Sequence, residues 1–579
     1  SWTFTVSFLV VAFIGIASAY KTLVLRGGGG VVARSLGGVR VDRGTEDPLR
    51  RRLLNVVEEM SIASGVPMPE VYVLEREASI NAFAAGHTPA NAAIGVTQGT
   101  LQQLNREQLQ GVVAHEFSHV LNGDMRLSLR LMGLVFGLLA VAMLGRLLLR
   151  VAAHARKGAA PFLAAGGAVI VIGYVGLACG RFIQAWISRK RESLADASAV
   201  QFTRNPDGLK EALLRAAAQP SATVFTNADT EEVGHMLFLS AGRRALATHP
   251  SLFERLQELQ PGYTKGQFES EVRLVQKRWE REAQAASPAP APKEAATGLL
   301  RGTLAVPALG SLIAATVGDP GTRHIEFARM LRKAMPMVIQ QYAKAPESAR
   351  VMMCAMLLSR EDAVRAKQME VVKKTLPAKD AAGLDAASSI AQGLEPILRL
   401  PSVLRLFPVL RQLPDADKDQ LRELLDTLAS SDARIDVFEF ALTKLVSDSM
   451  QDASNPGPQH GNATIEDLAT EIGLTFAVLA RHGAADEMAA RQAYEAGIAP
   501  LLPRVRPGYE CPASWAEHYG GALDALTRLR PAAKELLIGG LVRTIAHDGQ
   551  LAVEEAELLR TICAVLQCPM PPVLPPAAG

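Results

Sequence analysis

Cysteine is scarce in this chain: five cysteines stand among 579 residues, at positions 179, 354, 511, 563 and 568. No two of them form a C-x-x-C pair, and their number is odd. This pattern excludes the disulfide framework of a small secreted domain and the paired cysteines of a zinc knuckle. We interpret the five residues as isolated thiols in a reducing compartment.

Aromatic residues are also scarce, and neither positive nor negative charge is in large excess. Aromatic residues make up 5% of the chain although 49% is hydrophobic, so the apolar character comes mostly from Ala, Leu and Val. The 61 basic and 58 acidic residues nearly cancel, which excludes the concentrated basic face of a nucleic-acid-binding protein. We therefore expect no nucleic-acid partner. The length predicts roughly three or four structural units.

Long apolar runs, by contrast, are present, and the first occupies residues 1–20. It carries no charge and is long enough to span a bilayer. It lacks the basic start and the small-residue cleavage site of a signal peptide. Because the chain opens with Ser1 inside this run, we expect a fragment whose transmembrane helix continues upstream.

Two further apolar runs predict a transmembrane hairpin at about residues 127–187. The run at 131–145 spans only if it extends to about Leu149, with the Arg146 side chain reaching back to the interface. The run at 159–180 is uncharged and long enough by itself. Two buried core helices are the alternative.

Basic residues predict the orientation in the membrane. A large cluster follows the first run between residues 21 and 52, and Arg189, Lys190 and Arg191 follow the third run. The positive-inside rule assigns both clusters to the cytoplasm. The hairpin loop at 150–157 is also basic, but the cluster at 21–52 is larger and therefore determines the predicted orientation. We expect a multi-pass protein of the inner (plasma) membrane, in contact with the lipid bilayer, whose soluble segments face the cytoplasm.

The pentapeptide HEFSH is the sharpest chemical motif. Asn105 is a good N-cap, and the residues after it have a helical pattern. His115 and His119 are four residues apart, so both imidazoles lie on one helix face and can bind one zinc ion. Glu116 can act on water as the general base, as H-E-x-x-H chemistry requires. An amphipathic helix with two surface histidines is the alternative.

A catalytic zinc site needs a third protein ligand, and the segment SRKRESLADASA at 188–199 offers one. Glu192 and Asp196 are again four residues apart on a predicted helix. Glu192 can complete a His-His-Glu set, and Asp196 can accept a hydrogen bond from a ligand histidine and fix its tautomer. A solvated helix charge among basic neighbours is the alternative for Glu192.

Together these motifs resemble the HtpX-like membrane zinc metallopeptidases, relatives of the CaaX prenyl proteases. The matching pieces follow the family's order: SINAFAAG at 79–86, AHEFSHVLNGD at 114–124, the apolar hairpin, SRKRESLADA at 188–197 and THPSLFERL at 248–256. The resemblance covers about residues 20–260. It implies a gluzincin fold, one zinc ion per chain held by His115, His119 and Glu192, Glu116 as the base, and a cytosolic active site. The family's N-terminal hairpin is represented here by its second helix only.

The resemblance also implies two further site residues. Asn81 falls in the family's substrate-cleft segment beside an edge strand, where a substrate pairs by strand addition. An asparagine that stabilises a turn is the alternative. His249 is expected to stabilise the oxyanion of the tetrahedral intermediate. A histidine at a helix start before Pro250 is its alternative.

An Ala/Pro-rich linker at 284–297 predicts the main domain boundary. It separates a peptidase domain at 21–283 from a helical region at 298–567, which is followed by a disordered tail at 568–579. Within the helical region, SDARIDVFEFAL at 431–442 aligns with HDGQLAVEEAEL at 547–558. This echo resembles the acidic helical repeat of TerB-like modules. Two helix-turn-helix units with aspartate N-caps are the alternative.

The fold that these patterns predict is mainly α with a small β-sheet. A gluzincin-type domain with transmembrane helices is followed by an all-α C-terminal domain that binds a partner or regulates. The predicted function is an endopeptidase that cuts membrane or misfolded proteins in quality control or processing. Two alternatives remain: a membrane scaffold whose C-terminal module binds partners, and a zinc hydrolase acting on a non-peptide bond.

Overall fold

The computed structural model describes residues 2–154, 159–219, 238, 250–285, 304–305, 321–431, 435–454 and 461–571. The predicted linker beyond residue 285 and the predicted tail beyond residue 571 lie outside these ranges. The chain divides into two compact units. The first contains Ser1–Val41, Asp47–Val56 and Pro69–Ala286, and the second contains Asp42–Glu46, Val57–Met68 and Ser287–Gly579.

The helices of the first unit include three long apolar helices and the helix that carries the HEFSH motif. In chain order they are α1 (Trp2–Leu25), α2 (Gly29–Ser35), α3 (Pro48–Ser64, whose part from Val57 on belongs to the second unit), α4 (Gln98–Gln103), α5 (Arg106–Leu121), α6 (Asp124–His154), α7 (Ala159–Thr203), α8 (Pro206–Ala217), α9 (Leu252–Leu259) and α10 (Lys265–Ala285).

A four-stranded sheet accompanies these helices. Its strands are β1 (Val39–Arg40), β2 (Glu70–Leu74), β3 (Ala82–Ala85) and β4 (Ala93–Thr97), in the spatial order β1-β2-β4-β3. β2 and β4 are parallel, and both outer pairs are antiparallel. β4 is buried along its whole length, which fits its run of small and β-branched residues. β3 is an edge strand of this sheet and packs beside α5, which brings it next to the HEFSH motif.

The three long apolar helices, α1, α6 and α7, are each long and apolar enough to cross a membrane. α6 runs unbroken through Arg146, so the shorter of the two hairpin runs belongs to a helix of 31 residues. Small residues allow close packing: Gly133 and Gly137 of α6 lie against Thr22 and Ser18 of α1. Large apolar side chains such as Phe8 and Val171 are exposed, as expected of a lipid-facing surface.

α7 carries both the last apolar run and the predicted carboxylate segment. It is 45 residues long, and its apolar window ends at Gly180. The helix then continues without a break past Glu192 and Asp196 to Thr203. The two carboxylates therefore stand on the same continuous helix as the apolar run, beyond its apolar part.

Among its described residues, the second unit contains helices and one pair of two-residue strands, β5 (Leu304–Ala305) and β6 (Gln550–Leu551). Its helices, besides the end of α3, are α11 (Thr322–Ala334), α12 (Met337–Tyr342), α13 (Pro346–Met356), α14 (Asp362–Thr375), α15 (Ala378–Ala381), α16 (Leu384–Gly393), α17 (Pro396–Leu410), α18 (Asp415–Ala429), α19 (Val437–Ser454), α20 (Ala469–Gly483), α21 (Glu487–Leu501), α22 (Trp515–Leu526), α23 (Pro531–Ile545) and α24 (Val553–Val565). The mainly α fold with a small sheet is thus as predicted.

The two echoed segments each begin a helix, and these helices, α19 and α24, pack against each other. In both, a glutamate in the first turn bonds back to the backbone before the helix. Glu439 accepts from the Asp436 N–H at 3.0 Å, and Glu555 accepts from the Ala552 N–H at 3.0 Å. Asp436 caps α19 by accepting from the Glu439 N–H at 2.7 Å, whereas the N-cap of α24 is Ala552, so an aspartate N-cap is present in the first of the two segments only.

Candidate metal centre

α5 positions the two histidines of the HEFSH motif. Asn105 caps this helix as predicted: its side chain accepts from the Gln108 N–H at 2.9 Å, and Gln108 bonds back to the Asn105 N–H at 3.0 Å. His115 and Glu116 are buried, whereas the His119 side chain retains 17% of its exposure. The motif therefore lies at the inner face of the helix, with one histidine at the edge of solvent.

Glu192 of α7 meets both histidines. His115 Nε2 lies 3.3 Å from His119 Nε2 and 3.5 Å from Glu192 Oε2, and His119 Nε2 lies 3.7 Å from Glu192 Oε1. Three ligand atoms held tetrahedrally at about 2.0–2.2 Å from a zinc ion stand roughly 3.3–3.6 Å apart. The cluster therefore has the spacing that a bound metal ion requires, and it is the one such group found among the described residues.

Each histidine is held from behind by a carboxylate. His115 Nδ1 lies 2.9 Å from Asp196 Oδ1, and His119 Nδ1 lies 3.0 Å from Asp124 Oδ2. A carboxylate at Nδ1 fixes the ring and leaves Nε2 free to bind a metal. Asp196 stands where the sequence predicts a histidine partner, but the matching role of Asp124 was not predicted.

Asp124 reaches His119 because the chain turns sharply between α5 and α6. Gly123 takes a φ of 71°, a left-handed conformation that favours glycine. Asp124 then begins α6 and also pairs with Arg191 of α7. One aspartate thus links the histidine helix to both long apolar helices of the hairpin.

Arg255 is a buried residue of the centre that sequence reasoning missed. Its side chain, at the start of α9, forms two hydrogen bonds with Asp196: Nε to Oδ2 at 2.7 Å and Nη2 to Oδ1 at 2.6 Å. Its Nη1 also lies 3.8 Å from Glu192 Oε2. A planar guanidinium suits such a two-point contact with a carboxylate. Arg255 therefore holds Asp196 in place, and Asp196 in turn orients the His115 ring.

The protonation of this cluster follows from burial and charge. Burial disfavours the charged imidazolium of His115, but Asp196 and Glu192 outweigh it and raise the His115 pKa to about 9. Burial would likewise raise the pKa of Asp196, but Arg255 and then His115 hold that pKa below its ordinary value. The cluster is thus a strongly coupled set of charges in which a bound cation would replace the histidine proton.

Phe238 was also missed, and it lies directly on the centre. Its ring contacts the His115 ring edge-on at 5.1 Å between centroids, and the Arg255 guanidinium lies 4.6 Å from its centroid. Its backbone N–H donates to the Ala82 carbonyl of β3 at 2.8 Å, and its own carbonyl accepts from Arg255 at 2.9 Å. Phe238 thus connects the edge strand with the histidine cluster.

The two other predicted site residues are Asn81 and His249. Asn81 is fully buried at the start of β3, where its N–H donates to the Thr100 hydroxyl at 2.8 Å and its Oδ1 accepts from the Ala82 N–H at 3.0 Å. His249 lies outside the described residues. The sequence contains hints of what was missed, because Asp124 and Arg255 both stand inside the quoted motifs. The sequence distance from Asp124 to His119, or from Arg255 to Asp196, does not by itself indicate that these residues are partners.

Comparison with known proteins gives consistent matches. Residues 48–261 match the model of peptidase family M48. A protein named Protease HtpX homolog from Streptococcus uberis is 32% identical over 216 residues, which cover 35% of this chain and 71% of that protein. The homolog from Streptococcus thermophilus is 32% identical, covering 43% of this chain and 84% of its own length. The homolog from Listeria monocytogenes is 37% identical, covering 35% and 68%. No solved structure matched the chain.

Proposed function

We propose that zinc is the metal and Glu116 the general base of this chain, which belongs to peptidase family M48. Like its HtpX-type relatives, the chain is a membrane metalloprotease that hydrolyses peptide bonds. The family matches and the three apolar helices support the membrane metalloprotease.

One observation carries the assignment of the metal centre. The Nε2 atoms of His115 and His119 and a carboxylate oxygen of Glu192 lie within 4.8 Å of one another. The Nδ1 atoms of both histidines face carboxylates. Two imidazoles and one carboxylate form a ligand set that suits zinc in a catalytic site, with a fourth position left for water or substrate.

In this mechanism His115, His119 and Glu192 would hold the ion. Zinc, when bound, supplies a Lewis acid that polarises the scissile carbonyl and favours ionisation of water. The Glu116 carboxylate accepts a proton from the attacking water and returns it to the leaving amine. Asp196 and Asp124 keep the histidine rings oriented, and we assign the stabilisation of the oxyanion to His249.

The substrate would lie along β3. An edge strand presents backbone groups to which an extended peptide can add as a further strand. We assign Asn81 to this substrate-binding segment, where its hydrogen bonds with Thr100 and with the backbone of Ala82 fix the beginning of β3. The contact between Phe238 and Ala82 would have to yield or shift when a peptide pairs with the full strand.

We further propose that the substrates are membrane or misfolded proteins and that the protein acts in quality control at the inner membrane. Glu192 stands on the extension of an apolar helix, directly after Arg189, Lys190 and Arg191. This supports a catalytic centre close to the membrane on its cytosolic side. A catalytic centre close to the membrane surface can reach substrate proteins where they emerge from the bilayer.

The second unit is proposed to recruit or regulate and not to catalyse. The metal-ligand cluster lies entirely in the first unit. The matched glutamates of the echo, Glu439 and Glu555, make helix-capping hydrogen bonds. This use of the acidic residues supports a structural role for the echo and leaves partner binding to the surface of the unit.

Purified chain in a membrane mimetic tests the function. It should contain about one zinc ion per chain and should cleave casein. A chelator should abolish cleavage, and stoichiometric zinc should restore it. Cleavage that continues after complete removal of metal would refute the zinc mechanism. Hydrolysis of a simple ester without any cleavage of casein or peptides would favour the non-peptide hydrolase.

A further inference from the structure

One row of backbone groups along the edge strand β3 points away from the rest of the sheet. Asn81 is bonded toward β4, because the Thr97 N–H donates to the Asn81 carbonyl at 3.0 Å. In an antiparallel pair, successive residues turn their N–H and C=O groups to opposite sides. Ile80 and Ala82 flank Asn81, so their backbone groups point outward. The outward carbonyl of Ala82 accepts from the Phe238 N–H at 2.8 Å.

Gln219 already takes the outward N–H of Ile80. This glutamine lies two residues beyond α8, and its Oε1 accepts from the Ile80 N–H at 3.1 Å. Its Nε2 donates to Gln103 Oε1 at 2.8 Å, and Gln103 Nε2 in turn donates to the Ala78 carbonyl at 2.9 Å. Ile80 is buried, and Gln219 is half-buried. Because each residue has a single backbone N–H, another strand can bond at this position only if Gln219 leaves.

Phe238 indicates where a residue of an added strand lies relative to the metal centre. Its N–H is bonded to Ala82, and its ring centroid lies 5.1 Å from that of His115. A substrate residue that pairs with Ala82 in its place would therefore lie beside the metal centre, close to the cleaved bond. Antiparallel pairing is more stable per residue than parallel pairing, so we expect the substrate to run antiparallel to β3. Two residues further toward its C-terminus, such a strand reaches Ile80.

We propose that Gln219 determines substrate specificity by ending the pairing between substrate and β3 on the C-terminal side of the cleaved bond. This inference rests on the proposed peptidase function and on strand addition at β3. The Gln219 Oε1 atom occupies the position at which a substrate carbonyl would accept from the Ile80 N–H. Residues beyond about the second after the cleaved bond therefore add no hydrogen bond to the sheet. The site then accepts chains in which a turn or a folded part begins soon after that bond.

The test measures kcat/KM of the purified full-length chain, in a membrane mimetic, for quenched fluorogenic peptides that share one cleavage sequence. One series lengthens the peptide on the C-terminal side of the cleaved bond, and a second series lengthens it on the N-terminal side. For the wild type, kcat/KM should stop rising after about two residues on the C-terminal side. Gln219→Ala frees the Ile80 N–H, so longer C-terminal extensions should raise kcat/KM by about fivefold, the net contribution of one hydrogen bond. Mass spectrometry of the products verifies the cleaved bond.

Peptide binding gives a second readout that does not depend on turnover. In the Glu116→Gln background, the Kd measured by fluorescence anisotropy should fall with C-terminal length only when Gln219→Ala is also present. Gln276→Ala is the matched control, because Gln276 Nε2 donates to the carbonyl of the adjacent Ala218 at 3.2 Å and does not contact Ile80. Its length profile should equal that of the wild type. Gln219→Glu keeps an acceptor for the Ile80 N–H and should also keep the wild-type profile.

Three results would overturn the proposal. The first is a wild-type kcat/KM that keeps rising with C-terminal length, which decides the matter even if Gln219→Ala fails to fold. The second is an identical length profile in Gln219→Ala and the wild type. The third is a gain in Gln219→Ala that is equal in both series or confined to the N-terminal one. A wild type that cleaves no peptide in the presence of zinc would instead refute the proposed function, and this inference with it.

Discussion

His119 Nδ1 lies 3.0 Å from Asp124 Oδ2, across the turn that ends α5. This contact mirrors the 2.9 Å contact between His115 Nδ1 and Asp196 Oδ1. The two aspartates come from different helices, one at the start of α6 and one on the extension of α7. The rings of both histidines are therefore oriented by the elements that carry the apolar runs.

Asp124→Asn and Asp196→Asn should each lower zinc affinity by roughly ten- to a hundredfold, because an amide holds the histidine ring less well than a carboxylate. Competition with a chromophoric chelator measures this affinity. Asp207→Asn, at an exposed position on α8, is the control and should leave affinity unchanged. Wild-type affinity in both variants would show that these carboxylates do not support the metal.

Glu192→Ala should reduce both bound zinc and peptide cleavage, because two imidazoles alone form a weak site. Metal analysis of the purified variant, beside cleavage of a fluorogenic peptide, gives the two readouts. Glu269→Ala, on an exposed part of α10, serves as the control. Full zinc occupancy in the Glu192 variant would place the third ligand elsewhere.

Arg255→Met should destabilise the first unit, because it leaves the buried Asp196 carboxylate without its two hydrogen bonds. Removing one partner of a buried ion pair costs about 3–5 kcal/mol. Arg255→Lys should recover only part of this loss, since an ammonium cannot make the two-point contact. Thermal unfolding of the metal-free proteins compares the three chains. Equal stability of wild type and the Met variant would contradict this role.

Glu555 predicts a pH dependence in the second unit. Burial raises its pKa to about 7, above the ordinary 4.5. The folded state therefore binds the proton more tightly than the unfolded state, and stability falls as pH rises from about 4.5 to 7. Glu555→Gln keeps a carbonyl acceptor for the Ala552 N–H, so it should stabilise the unit at pH 8 by on the order of 1–3 kcal/mol. The gain should nearly vanish at pH 4.

Unfolding transitions at both pH values measure the effect of Glu555→Gln. Glu554→Gln removes a neighbouring exposed carboxylate and should have little effect at either pH. A stabilisation of the Glu555 variant that is the same at pH 4 and pH 8 would show that titration of this group is not the cause.

The sequence was informative where function depends on local spacing. His115 and His119 share a helix face because they stand four residues apart, and the long helix that carries Glu192 follows from its apolar run and its basic end. These features require no knowledge of how distant segments meet.

Contacts between distant segments were not predictable in this way. Arg255 finds Asp196 across 59 residues, and nothing in its own segment indicates the partner. In the second unit, the buried Glu59 of α3 faces Arg332 at 3.1 Å, and its neighbour Glu58 pairs with Arg405. The pattern of α3 predicts a helix, but not that its second half belongs with residues hundreds of positions later. The separate folding of the region at 298–567 stays a prediction.

Glu116→Gln tests directly whether Glu116 is the general base of a zinc-dependent peptidase. The variant keeps His115, His119 and Glu192, so it should bind zinc like the wild type, but it lacks the carboxylate that accepts the proton from water. Zinc content and casein cleavage should be measured on the same preparation, beside Glu107→Gln at the start of the same helix as the control. We expect full zinc occupancy with nearly all cleavage lost. Cleavage at the wild-type rate by the zinc-loaded Glu116 variant would contradict it.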